Sequence, residues 1–149
     1  MSAYRDGERV VVLIPARFSR AEESEWVDRM LARLAARAAR ARRSDADLLA
    51  RARRLADRYL SEYDIAINSV RWVGNQHSRW GSCTPEDRTI RISERVRGMP
   101  DWVLDYVVLH ELVHLIVPTH GSCFWALVGR YPKAERARGY LEGVAAATQ

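Results

Sequence analysis

Polar and apolar positions along the chain fall into three textures. In the first, "RVVVLIPAR" (Arg9–Arg17) is short and β-branched. It reads as a strand ending at Pro15, which has no N–H for a ladder. "SRAE" at Ser19–Glu22 pairs a hydroxyl with a carboxylate three residues on, a helix start. In the helix that follows, Trp26, Val27, Met30, Leu31, Leu34 and Ala38 share one face, and Arg29, Arg33, Arg37 and Arg40 stripe another. "SDAD" at Ser44–Asp47 marks a second start, after which Leu48, Ala52, Leu55, Tyr59 and Tyr63 recur at helical spacing. The two patterns predict an αα pair with apolar inner seams and basic outer faces.

The second texture begins at Ile65. "IAINSVRWV" is β-branched and partly alternating, so a strand is expected within it. Thr89, Arg91 and Ser93 alternate with Ile90 and Ile92, the period of a half-buried strand. With the turn residues of "TPEDR" before it, Ser78–Ser93 reads as a β-hairpin. After "GMPD" the third texture is a run from Asp101 to Ile116 that is apolar nearly all round and stops at Pro118. It predicts a central, buried helix. Short helices around Phe124–Gly129 and Ala134–Ala146 follow. The expectation is a single α+β domain over 1–149. Its first part, 1–63, is the strand and the basic helical pair; its second, 64–149, is the hairpin and the core that carries the chemistry.

Composition adds little to the fold but narrows the setting. No apolar run reaches the roughly 18–20 residues that span a bilayer. The N-terminus lacks the regions of a signal peptide, so a cytoplasmic protein without a membrane partner is expected. Two cysteines, Cys83 and Cys123, make no disulfide framework and read as buried free thiols. The net charge is +5, and Arg29–Arg58 holds ten arginines against three aspartates. Such a segment can bind nucleic acid. Because 23 of the 24 basic residues are arginine and alanine abounds, compositional bias with solvated helix faces is the favoured reading. Nothing in the sequence sets an oligomeric state.

The chemistry lies in "HELVHLIVPTH", His110–His120. His110 and His114 are four apart, so on a helix they project from one face, one turn apart. Two imidazoles so placed reach one metal ion at about 2.0–2.1 Å each. Glu111 points to the adjacent face, beside the ion rather than on it. The helix then ends, and His120 can turn back with a third nitrogen. Three histidines and an open position describe a catalytic zinc site, although imidazoles also accept nickel, cobalt or iron. A charged Glu111 in so apolar a helix would be costly without such a role. The spacing HExxHx5H is also that of the metzincins. Here Val117 stands where they have glycine, and no methionine follows Met99.

"SRWGSC" (Ser78–Cys83), "DYVVLHELVHL" (Asp105–Leu115) and "HGSCFW" (His120–Trp125), in this order, resemble the YgjP-like metal-dependent hydrolases. These are zincin metallopeptidase-like proteins related to SprT-like and Wss1-like proteases. The resemblance runs from about Val70 to Trp125. It implies a zincin-like fold, a small antiparallel sheet or hairpin packed on the buried HExxH helix. It implies one zinc ion held by His110, His114 and His120, with Glu111 as catalytic acid and base. "HGSCFW" departs from the commoner Asn-His-Ser form around the histidine.

The expected activity is metal-assisted hydrolysis of peptide bonds, Glu111 taking a proton from the attacking water and passing it to the leaving amine. His77, Arg79 and Tyr131 are candidate substrate or oxyanion contacts. The hairpin edge can align an extended peptide. Trp80 reads as a core or cleft wall, Gly81 as a point of close backbone approach, and Phe124, Trp125 and Leu127 as packing behind the site. Asp105 lies on the far side of the helix, a polar anchor rather than a ligand. Two alternatives stand beside this reading. One is a metal-dependent nucleotide phosphohydrolase, which lacks a P-loop and a carboxylate-rich shell. The other is a nucleic-acid-associated protease using the Arg29–Arg58 helices.

Overall fold

A computed structural model describes residues 2–148. The chain divides into two compact units, one up to Ala41 and one from Arg42 onward.

The first unit is a hairpin and a helix. β2 (Arg9–Leu13) pairs antiparallel with β1 (Ser2–Asp6), and the turn between them places Gly7 at a φ of 63°. A residue with a Cβ would be strained there. α1 (Arg20–Ala41) starts where the serine signal lies, and Ser19 Oγ accepts from the Glu22 amide at 3.2 Å. Along its apolar face Met30 is buried, while Leu31 is exposed.

The second unit carries the core. α2 (Asp45–Tyr59) opens with a complete capping box: Ser44 Oγ accepts from Asp47 N and Asp47 from Ser44 N. Its buried face is Leu48, Ala52, Leu55 and Ala56, with Tyr59 partly buried and Tyr63 exposed. α1 and α2 fall in separate units, and the α2 face packs on β3 and α3. An amphipathic face requires a partner but does not name one.

β3 (Ser69–Val73), β4 (Gly81–Thr84) and β5 (Thr89–Ser93) form one sheet in the order β3-β5-β4. β4 and β5 are the expected antiparallel hairpin, turned through Arg88 at a φ of 56°. The sheet as a whole is mixed rather than antiparallel, because β3 runs parallel to β5. Residues 74–80 carry the chain across to the far edge, and the tight turn after β4 brings it back beside β3 in the same direction. β4 is therefore an edge strand. Ile90 and Ile92 of the central strand are fully buried, as their alternation predicts.

α3 (Asp101–His114) is buried along most of its length, against α2, α4 (Ser122–Val128), α5 (Ala134–Ala147) and the sheet. Its helical turns end at His114, two residues before the predicted Ile116; Leu115 N bonds Leu112 O and Ile116 N bonds Val113 O. Among the described residues no helix is long and apolar enough to cross a membrane.

Arginines from the basic segment fix α3. Arg43 donates to the carbonyls of Arg97 (3.0 Å) and Met99 (2.8 Å) and pairs with Asp101. Arg51 pairs with Asp101 at 3.1 Å and Asp105 at 2.5 Å. Asp105 is thus an anchor, as its position on the helix suggested. These two arginines do not belong to the solvated basic face that was expected.

Two predictions follow from this clamp. Arg43 is only 8% exposed, so Arg43→Ala would strand carbonyls and a carboxylate at a cost of about 3 kcal/mol. Thermal unfolding should show a Tm lower by about 6–12 °C; a change under about 1 °C would contradict the clamp. For Asp101, burial acts upward, but Arg51 and Arg43 outweigh it and hold the carboxyl below its ordinary 3.8. A lowered folded value stabilises above the ordinary value and is lost as pH falls through it. Asp101→Asn should therefore cost stability near neutral pH, and its gap from the parent should close below about pH 4 in melts across pH.

Candidate functional site

The sequence places two imidazoles and a carboxylate on the last turns of α3. His110 and His114 project from one face, and the loop after His114 returns the third imidazole. One ligand atom from each of His110, His114 and His120 lies within 4.8 Å of the others. His114 Nε2 and His120 Nε2 are 2.9 Å apart. The Nδ1–H of His114 donates to Val117 O at 3.2 Å, which sets the tautomer and leaves Nε2 facing its neighbours. The carbonyl of Val117, just before Pro118, thus turns back to the imidazole.

Phe124 is the platform under this cluster. Its ring centroid lies 4.8 Å from His110, 4.6 Å from His114 and 4.8 Å from His120, and the residue is fully buried. Trp125 donates from Nε1 to the carbonyl of His120 at 3.1 Å and so pins the returning loop. Both match the expectation of packing behind the site.

The electrostatics favour the neutral form of the two helix imidazoles, His110 and His114. Burial, then the neighbouring His114 and His120, lowers His110 to about 3. Burial also leads the lowering at His114. Neutral imidazoles are the form that ligates a metal. Glu111 is 6% exposed. Burial raises its carboxyl to about 7 although the Arg79 and Arg91 charges act to lower it.

Gly81 shows what "RWGSC" is for. A Cβ there would lie 3.1 Å from Glu111 Cγ and 3.1 Å from Arg91 O. Only a glycine lets edge strand β4 lie this close to the carboxylate. Trp80 is a cleft wall, partly buried, with the Arg95 guanidinium 4.2 Å over its ring. Cys83 borders the same cleft and is half-buried; burial first, then Glu111, raises its thiol to about 11. Cys123 is exposed, so neither thiol is buried as expected. Neither joins the histidine cluster.

The cluster opens into a cavity of about 800 Å³. Of the three candidate substrate contacts, Arg79 borders it. His77 lies on a second, smaller cavity instead. Tyr131 is buried, and its hydroxyl donates to Trp102 O at 2.8 Å, so it is a structural hydrogen bond within the core. The sequence reading missed Tyr106 and Leu141, which line the cavity, and Arg138 at 4.6 Å over the Trp125 ring. Tyr106 sits four residues before His110, a spacing that puts it on the same face and was available as a signal. For the α5 residues no such signal exists.

Comparisons with known proteins give a family and a fold. The model of the YgjP-like family, metallopeptidase domain, matches residues 43–143. No curated protein matched the sequence. Among solved structures, the metallopeptidase zymogen of Pyrococcus abyssi abylysin is similar with a TM-score of 0.56 and 22% identity, over 67% of this chain and 93% of that one. The metallopeptidase zymogen of Methanocaldococcus jannaschii jannalysin is similar with a TM-score of 0.55 and 17% identity, over 66% and 97%. At these identities the likeness concerns the fold. The family match covers most of the chain and brackets the helix, the loop and the sheet just described, so this protein belongs to the YgjP-like family through its metallopeptidase domain.

Proposed function

We propose that the protein is a zinc-dependent peptidase in which His110, His114 and His120 hold one ion and Glu111 is the general base and acid. The observation that carries this reading is the approach of three imidazole nitrogens to within 4.8 Å of one another, beside a buried carboxylate. The donor set fits the metal. Three imidazoles, with no carboxylate in the cluster, suit zinc or a similar transition ion better than magnesium or calcium. A bound zinc would supply Lewis-acid polarisation of the scissile carbonyl and a lowered pKa, about 7, for water at the site.

The chain's own residues do the rest. Val117 O and the Phe124 ring hold the imidazoles in place. Glu111, with a carboxyl near 7, takes a proton at its carboxylate and gives it up again to the leaving amine without a large cost in either direction. The free edge of β4 beside Glu111 supports main-chain pairing with an extended peptide. Of the three candidate contacts, Arg79 borders the cleft that holds the histidines and Glu111. The phosphohydrolase and nucleic-acid readings gain nothing from the comparisons. Part of the basic segment is also committed to Asp101 and Asp105.

Three variants test this reading. Glu111→Gln should keep about one zinc per chain by elemental analysis and lose at least about a hundredfold in peptide hydrolysis. Full activity in that variant would remove Glu111 from the mechanism. His120→Ala should lose the zinc, and a chelator should do the same to the parent; retention of zinc in His120→Ala would rule out the third ligand. Gly81→Ala should keep the zinc but lower kcat/KM about tenfold or more, since a small displacement of a reacting group is costly. An unchanged rate would mean that β4 does not position Glu111.

A further inference from the structure

A second cavity, of about 340 Å³, is lined by Asn75, Gln76, His77, Ser78, Arg79, Ser82 and Arg91. Every one of these side chains is polar, two are arginines, and none is a carboxylate. Arg91 donates to Ser82 Oγ at 2.9 Å, Thr84 Oγ1 at 2.8 Å and Thr89 Oγ1 at 3.4 Å. All three acceptors are neutral hydroxyls. Among the described residues neither Arg79 nor Arg91 has an ion-pair partner. Two guanidinium groups thus share one concave site whose lining holds no acid.

Gln76 adds a second, independent observation. Its Nε2 lies 2.6 Å from Ser82 Oγ, which already accepts from Arg91, while its Oε1 is buried without a partner. Exchanging the amide's two ends is equally compatible with the Ser82 contact, because that hydroxyl both donates and accepts. Ser82 then donates to the Gln76 oxygen and accepts from Arg91. The unpartnered group becomes an NH2. In that assignment the cavity gains one donor without an acceptor, the Gln76 NH2.

Its place in the sheet says what would supply one. Along β4, Gly81 abuts Glu111 on the α3 side, whereas Ser82 meets Arg91 and Gln76. Successive side chains of a strand point to opposite faces. Arg79 and Ser82 border both the large cleft and this cavity, so the two communicate around β4. A peptide paired on the β4 edge would send one side chain toward Glu111 and the next toward Arg79 and Arg91.

We propose that this cavity is a carboxylate-reading subsite, selecting substrates with an acidic group close to the scissile bond. The inference rests on the peptidase reading above. The carboxylate belongs either to an Asp or Glu side chain or to a chain terminus that ends there.

The test uses one peptide sequence in which Glu replaces Gln at each position in turn, and a pair with free or amidated C-terminus. Binding to the zinc-loaded Glu111→Gln protein is read by fluorescence anisotropy, and hydrolysis by the zinc-loaded parent as kcat/KM. One position, or the free terminus, should favour the acid over the amide about tenfold, the scale of a charge-assisted contact. Adding Arg79→Gln should bring that ratio to within about twofold, and Arg79→Glu should turn it toward Lys. Arg79 is exposed and has no hydrogen-bonded side-chain partner, so both variants keep the fold. The ratio cancels any uniform effect of Arg79 on Glu111. Equal binding of acid and amide everywhere, or a preference that survives Arg79→Gln, overturns the inference. An acid preference in binding without hydrolysis by the parent upholds the subsite and counts against the peptidase reading.

Discussion

The structure depends on burying a helix that carries ionisable groups. α3 is apolar on nearly every side, so it belongs at the centre of the core, yet two imidazoles and a carboxylate ride on its last turns. An ionised group sealed in such a place would cost several kcal/mol, by order of magnitude. The fold meets this by making one stripe of the helix a cleft wall. Burial then keeps the imidazoles neutral and lifts Glu111 toward 7. The conditions that make the groups tolerable are those a ligand set and a proton carrier need.

Everything around α3 holds that stripe in place. Arg43 and Arg51 clamp its first turns through Asp101 and Asp105. Phe124 and Trp125 of α4 support the imidazoles and the loop that returns His120. On the other side, Gly81 allows β4 to approach Glu111, and the parallel pairing of β3 with β5 leaves β4 at the edge. The same edge separates the metal-side cleft from the cationic cavity that we assign to carboxylate reading. Strand, glycine and arginines in one short segment, Arg79–Arg91, thus border both the cleft and the cationic cavity.

How much of this was legible in the sequence follows from the range of each interaction. Capping is local, so the starts of α1 and α2 could be read from Ser19 and from Ser44–Asp47. Alternation is local too, and Ile90 and Ile92 are buried as it requires. The histidine spacing carried the cluster because a helix converts four residues into one turn. What escaped was nonlocal. The seam of α2 did not reveal that β3 and α3 would cover it. The link 74–80 gave no sign that β3 would lie parallel to β5. "SAYRD" has no alternation, so β1 went unseen. Tyr131, one of three candidate substrate or oxyanion contacts, donates to Trp102 O, a contact that sequence spacing cannot predict.

The central claim is that three imidazoles meet on one ion. X-ray absorption at the zinc edge of the loaded protein measures this directly. The account predicts a first shell of three nitrogens at about 2.0–2.1 Å with one further light atom, and no sulfur. A scatterer at about 2.3 Å, the distance of a thiolate, or a shell with only two imidazoles would contradict it.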